Sequence, residues 1–200
     1  MLGLPSTTEV SVRLPKEAFY RNLKLDVKTR EQFVSSVESI TVMNTIKPAT
    51  ANIADGKKVH EILVVAVEPR GGKVPEAVIR EIVSANHNKV LLVDLAFSEV
   101  SLVYDDDLYR SELAVVELLG RSLDEVWESI LAQIIFGDRD GCDVEDRIAR
   151  KRRAEVLEAE IERLEVRARK EKQLRKKNDL ILELGAVRDT LNQLLASNNC

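Results

Sequence analysis

The 200-residue chain predicts an α+β fold, a mixed or antiparallel sheet of about five strands with covering helices, followed by a long C-terminal coiled-coil-like helix or helical hairpin. Three observations predict this. Ahead of Gly137, short apolar runs of strand type alternate with apolar stripes at helical spacing. From about Asp143 to Ala196 there is no proline and a single glycine, and apolar residues return at steps of three and four between charged ones. The 44% apolar fraction is that of a globular chain, while aromatics at 4% leave the packing to Val, Ile, Leu and Ala.

Leu14-Pro15-Lys16 opens the first expected helix, which runs through Ala18-Phe19-Tyr20 to about Leu23, with proline suited to the first turn. Thr29 caps a second, and Gln32 closes a capping box before Phe33, Val34 and Val37, whose stripe faces the sheet. Ile40, Val42 and Ile46 fall on one side of a half-buried strand that ends at Pro48. Asp55-Gly56 is a turn signal, and the continuous apolar run between Glu61 and Glu68 is a central strand paired with the one before it. Pro69-Arg70-Gly71-Gly72-Lys73 is a loop, after which Pro75 to about Asn86 carries Ala77, Val78, Ile79, Ile82 and Val83 in helical phase. Val90 to Leu95 and the alternating Val100, Leu102 and Tyr104 form a hairpin, and a last strand spans about Tyr109 to Val116. Ser122-Leu123-Asp124-Glu125 is a capping box that starts a helix with Val126, Trp127, Ile130, Leu131 and Ile134 on its apolar side. Two glycines among polar residues then break the pattern. The expected organisation is an α/β domain over 1–137, a linker over 138–143 and a charged helical arm over 144–196.

In the arm, Ala154, Leu157, Ile161, Leu164 and Ala168 step by three and four, as do Leu180, Leu184, Val187, Leu191 and Leu194. Twelve residues separate Ala168 from Leu180, so the two seams lie out of heptad phase. Either one helix rotates its seam there, or the chain turns over near Lys177-Asn178 into an antiparallel hairpin with a basic tip. Helix propensity across the stretch modestly favours continuity. A seam of this kind cannot be buried by one helix alone in water, so Leu157, Ile161, Leu164, Leu184, Leu191 and Leu194 are the candidate assembly residues.

The net charge of -4 hides an asymmetry. Residues 1–146 balance at -9, residues 147–177 at +7 and residues 178–200 at -2. An acidic body carries a basic arm. Arg169, Lys170, Lys172, Arg175, Lys176 and Lys177 are the candidates for phosphate contact, since such contact needs positive charge gathered on one surface. The competing reading is that these are flanking charges of a coiled coil, partnered by the six glutamates of the same window. The N-terminus does not read as a signal peptide, and the apolar run Ile62–Val67 is far short of the roughly twenty residues that span a bilayer. A cytoplasmic protein without membrane association is expected.

No motif specifies chemistry, and no catalytic residue, cofactor or metal is assigned. Asp55, thirteen residues before Glu68-Pro69-Arg70, has the outline of a divergent restriction-type nuclease site, in which two carboxylates hold a divalent ion and a lysine orients water. Arginine in the lysine position serves only as a fixed charge, which degrades the match. Convergence of Asp55 and Glu68 within about 5 Å would be required. Asp105-Asp106-Asp107 reads as a solvated acidic turn rather than a cation loop, and Gly71-Gly72-Lys73 lacks the other residues of a phosphate loop. His60 and His87 have no partner at helical spacing, and Cys142 and Cys200 read as free thiols.

Several strings resemble a family of uncharacterised bacterial and archaeal proteins, a domain of unknown function encoded beside DNA methyltransferases and helicases of restriction or phage-defence type. They are Leu14-Pro15-Lys16 with Phe19-Tyr20, Ile46-Lys47-Pro48-Ala49-Thr50 with Asn52-Ile53, Val59 with Glu61-Ile62, the Trp127 helix, and Glu171-Lys172-Gln173 with Arg175-Lys176-Lys177 before Glu183-Leu184. The resemblance covers nearly the whole chain and implies an α/β domain with a charged helical tail. Relatives are often proline-rich where this chain has Asn86-His87-Asn88-Lys89. It implies the role of a defence-system accessory. With no motif that specifies chemistry and an arm seam that needs a partner, the expected protein is a non-catalytic accessory or assembly protein that docks through the arm on itself, a helicase or a methyltransferase. DNA binding by the basic arm is the first alternative and a divergent nuclease-like domain the second.

Overall fold

The computed structural model describes residues 2–15, 17, 25–112 and 115–196, and the chain divides into two compact units between Cys142 and Asp143. The first unit is built on strands β1 (Glu9–Leu14), β2 (Val37–Ile46), β3 (Ile62–Pro69), β4 (Lys89–Asp94), β5 (Glu99–Tyr104) and β6 (Asp107–Ser111). Its helices are α1 (Val27–Ser36), the single turn α2 (Pro48–Ala51), α3 (Glu76–Ser84) and α4 (Leu123–Ile135). The six strands form one sheet in sequence order, and every neighbouring pair is antiparallel except β3 with β4. Parallel neighbours need a crossover, which α3 supplies.

The apolar run of β3 explains its central place. Val65 and Val67 join Phe33 of α1, Val37 and Ile40 of β2, Val78, Ile79 and Ile82 of α3, and Val90 and Leu92 of β4 in one buried cluster. Ile62, Val64 and Ala66, which alternate with them, are buried as well, so β3 is covered on both faces. β5 and β6 are joined by a two-residue turn, Asp105–Asp106, with φ of 45° and 65°. Positive φ at both positions matches the strand twist, and Asp is among the few residues that adopt it cheaply. The acidic run is therefore a hairpin turn.

The sheet has six strands rather than about five, the additional one being β1. Five of its six residues are exposed, as suits an edge strand, so Val10, Val12 and Leu14 had little burial to advertise. Leu14 ends this strand, and the helix expected from there to Leu23 lies, past Pro15 and Glu17, outside the described residues. The last strand is Asp107–Ser111, short of the expected Val116; Val115 makes only an isolated bridge with Leu2. α1 begins three residues earlier than the sequence suggests. Asp26 is its cap, and its carboxylate accepts from Thr29 N at 3.0 Å and from Thr29 Oγ1 at 2.6 Å. The expected cap thus donates instead of accepting.

The second unit consists of α5 (Val144–Lys170) and α6 (Leu174–Ala196), joined by only three residues. The chain reverses here, since Leu164 and Ala168 pack with Leu180, Leu184 and Val187, and Arg188 Nη2 donates to Glu165 Oε1 at 2.5 Å. Leu157, Ile161, Leu191 and Leu194, further along the same two rows, are half-buried. The phase slip supplies the reason. Twelve residues at about 100° each turn the second seam roughly 120° from the first, so a straight helix would expose one of them. A break lets the two seams face each other, and this outweighs the modest propensity for continuity. The turn comes at Glu171–Gln173, not at Lys177-Asn178. Glu171 is extended at φ -72° and ψ 127°, its N–H reaching Arg167 O, and its carboxylate accepts from Gln173 N at 2.8 Å.

Candidate functional site

The chain reversal concentrates charge. Arg169 and Lys170 end α5, Lys172 lies in the connection, and Arg175, Lys176 and Lys177 stand in the first turn of α6. All six are exposed. Cations suit the carbonyl end of α5 but oppose the positive end of α6, whose first turn holds no acid. Between residues 166 and 178 Glu171 is the only acid. Its carboxyl is held below the ordinary range, first by the N–H of Gln173, against burial, with the N–H of Lys172 and the charge of Lys176 also contributing.

Arg169 Nη2 stands 3.8 Å from Glu165 Oε2 with 79% of the side chain exposed, a contact that neutralises little. Lys170, Lys172, Arg175 and Lys177 form no ion pair among the described residues. The glutamates that could partner a coiled coil lie lower on the arm, where Lys151 approaches Glu155 at 3.9 Å and Arg188 takes Glu165. No residue of the arm is aromatic, so the tip offers charge without a stacking surface.

The six residues expected to form an assembly seam line the inside of the hairpin, Leu164 and Leu184 within its apolar cluster and the other four half-buried. Asp55 and Glu68 do not converge. Asp55 Oδ1 pairs with His60 Nδ1 at 3.0 Å just ahead of β3, whereas Glu68 lies near the far end of that strand, about 20 Å away at 3.3 Å per residue. These two carboxylates cannot share an ion.

Glu68 instead accepts from Ser39 Oγ at 3.0 Å, and Arg70 Nε donates to Glu38, which stands at an irregularity in the β2–β3 ladder. A small groove of about 140 Å³ beside it is lined by Arg13, Leu14, Pro15, Glu17, Glu38 and Ser39. Sequence reasoning passed over Glu38 because strand pairing, not spacing along the chain, brings it to Arg70. Among the described residues no group of three or more His, Cys, Asp or Glu side chains could hold a metal ion. His87 and Cys142 are exposed, and Cys200 lies outside the described residues. Lys73 does not face a phosphate loop; its Nζ stands 2.5 Å from Glu99 Oε2.

An α/β sheet domain carrying a charged helical hairpin defines the class of protein. The chain belongs to the family described as Domain of unknown function (DUF4391), whose model matches residues 2–117 and 97–191. No curated protein and no solved structure matches the chain. Among the described residues no helix is long and apolar enough to cross a membrane.

Proposed function

We propose that this protein is a non-catalytic accessory protein whose helical arm contacts the phosphate backbone of nucleic acid through its basic tip. One observation carries the reading: the reversal at Glu171–Gln173 brings six exposed bases to one end of a hairpin with a single acid among them. That arrangement raises the electrostatic energy of the free protein, and a polyanion relieves it. The absence of aromatic residues from the arm favours contacts to phosphates over stacked single-stranded bases. The wider role, as a partner of a helicase or methyltransferase in a restriction or phage-defence complex, is supported by the resemblance of its sequence strings and is part of the same proposal.

Binding of a short mixed-sequence duplex, followed by fluorescence anisotropy across a salt series, tests the reading. With six bases available, log Kobs should fall against log salt with a slope of no more than about -5. Affinity would then drop up to about a thousandfold between roughly 50 and 200 mM salt. Absent or salt-insensitive binding would contradict it.

A further inference from the structure

Glu171 sits where electrostatics alone would not put it. A carboxylate among six bases repels a polyanion, and this is the only acid between residues 166 and 178. The side chain is half-buried rather than turned to water, and its carboxylate accepts from Gln173 N at 2.8 Å. The N–H of Lys172 also favours its charged form. Both residues that separate Glu171 from α6 thus direct their N–H groups to this one side chain.

The phase slip between the two seams demands a break, but the slip alone does not choose a place for it between Ala168 and Leu180. The residues there favour continued helix, so something local must stop it. Glu171 ends α5 in an extended conformation, and its side chain accepts from the N–H two residues on, as Asp and Asn do in turns. It also sets a negative group near the positive end of α6, whose first turn holds no acid. The place of the break is what gathers the bases. Arg169 and Lys170 directly precede Glu171, and Arg175, Lys176 and Lys177 follow within the first turn of α6. A break one turn further on would set Arg169 and Lys170 back about 5.4 Å from the end.

We propose, resting on the phosphate-contact reading, that Glu171 is the positioning residue of the basic tip: its charge weakens the attraction for phosphate, while its hydrogen bonds fix the turn that brings the six bases to one end. Glu171→Asn and Glu171→Ala separate these two effects, since both remove one negative charge. Asn accepts readily from the N–H two residues on, whereas Ala accepts nothing and favours helix. Duplex affinity of the full-length wild type and both variants is measured by fluorescence anisotropy across a salt series. At about 100 mM salt Glu171→Asn should bind at least as tightly as the wild type. Glu171→Ala should bind about tenfold or more below Glu171→Asn, with a salt slope shallower by about one. An acid that contributes charge alone predicts that both variants bind equally, and more tightly than the wild type, and this result would overturn the proposal.

A second readout needs no nucleic acid. Val166 and Leu182 are exposed and lie between the seam residues of their helices. Spin labels at Val166→Cys and Leu182→Cys, in a Cys142→Ser, Cys200→Ser background, report how the hairpin closes. With Glu171 or Glu171→Asn the labels should give one narrow distance, and with Glu171→Ala a broadened or longer one. A distance unchanged by Glu171→Ala would overturn the proposal whatever the binding result. Distances as expected in a wild type that binds no duplex would overturn the phosphate reading instead, and leave Glu171 as the residue that fixes the turn.

Discussion

The Asp124 carboxylate closes on the backbone of Gly56, so that a Cβ at Gly56 would lie 2.5 Å from Asp124 Oδ1 and 2.4 Å from Val59 O. The same carboxylate accepts from the N–H groups of Lys57, Lys58 and Val59 at 2.7, 3.0 and 2.8 Å. The loop ahead of β3 is thereby tied to the first turn of α4, and Leu123 N donates to Ala54 O beside it.

Gly56→Ala should therefore destabilise the first unit by about 2–4 kcal/mol, because both close atoms belong to fixed groups and one is backbone. Urea unfolding followed by the fluorescence of Trp127, the chain's only tryptophan, measures it. A loss under about 0.5 kcal/mol would mean that the loop yields easily.

Asp124 also sets a pH dependence. Burial pushes its carboxyl up, but the three N–H donors and the charge of Lys58 pull it down by more, so the folded value lies below the ordinary one. A lowered carboxyl contributes stability that is present above the unfolded value, about 3.9, and is lost as pH falls through the folded value. The stability difference between the wild type and Asp124→Asn should stay constant from about pH 7 to 5 and narrow below about pH 4. Widening toward acid would contradict the assignment.

Glu99 is only 5% exposed, yet it is ionised between Lys73 Nζ at 2.5 Å and Arg110 Nη1 at 2.9 Å. Burial pushes its carboxyl up and the two cations outweigh it, leaving the net value lowered. Glu99 is the buried member, while the Lys73 and Arg110 side chains are 51% and 27% exposed and can turn to water once it is gone. Glu99→Ala should therefore cost about 1–2 kcal/mol in urea unfolding, mainly through the two lost charged hydrogen bonds. Lys73→Met, at a side chain 51% exposed, should cost under about 1 kcal/mol.

Leu164 is 2% exposed at the centre of the hairpin's small cluster. Leu164→Ala should destabilise the arm by about 2–4 kcal/mol, moving the far-UV helical transition more than the Trp127 transition. Equal movement of both would place Leu164 in a different core.

Much of the first unit was legible because burial leaves periodic traces. The β3 run, the α3 stripe and the Ser122 cap all stand where spacing put them, with Ser122 accepting from Glu125 N. β1 was not, since Leu14-Pro15-Lys16 carries a helix-start signal that competes with the alternation of Val10, Val12 and Leu14, and an edge strand buries too little to strengthen it. Asp26 and Thr29 are both competent caps, and only the geometry of the entering chain selects between them. In the arm, the twelve-residue slip between Ala168 and Leu180 showed that the seams disagreed, while the position of the turn was hidden by helix-forming residues throughout. The six bases were visible as a run, and the reversal gathers them on one end. Glu38 beside Arg70 and the Asp124 cradle around Gly56 depend on long-range pairing and left no local pattern.

The most direct measurement compares duplex binding by three full-length proteins at about 100 mM salt. They are the wild type, a tip variant with Arg169, Lys170, Lys172, Arg175, Lys176 and Lys177 changed to Gln, and a control with Arg147, Arg150, Lys151, Arg152, Arg153 and Arg163 changed to Gln. The two variants lose equal charge, so the comparison separates the place of the charge from its amount. With helical circular dichroism matched, the account predicts at least a hundredfold loss for the tip variant and less than tenfold for the control. Equal losses in both, or a wild type that does not bind, would contradict it.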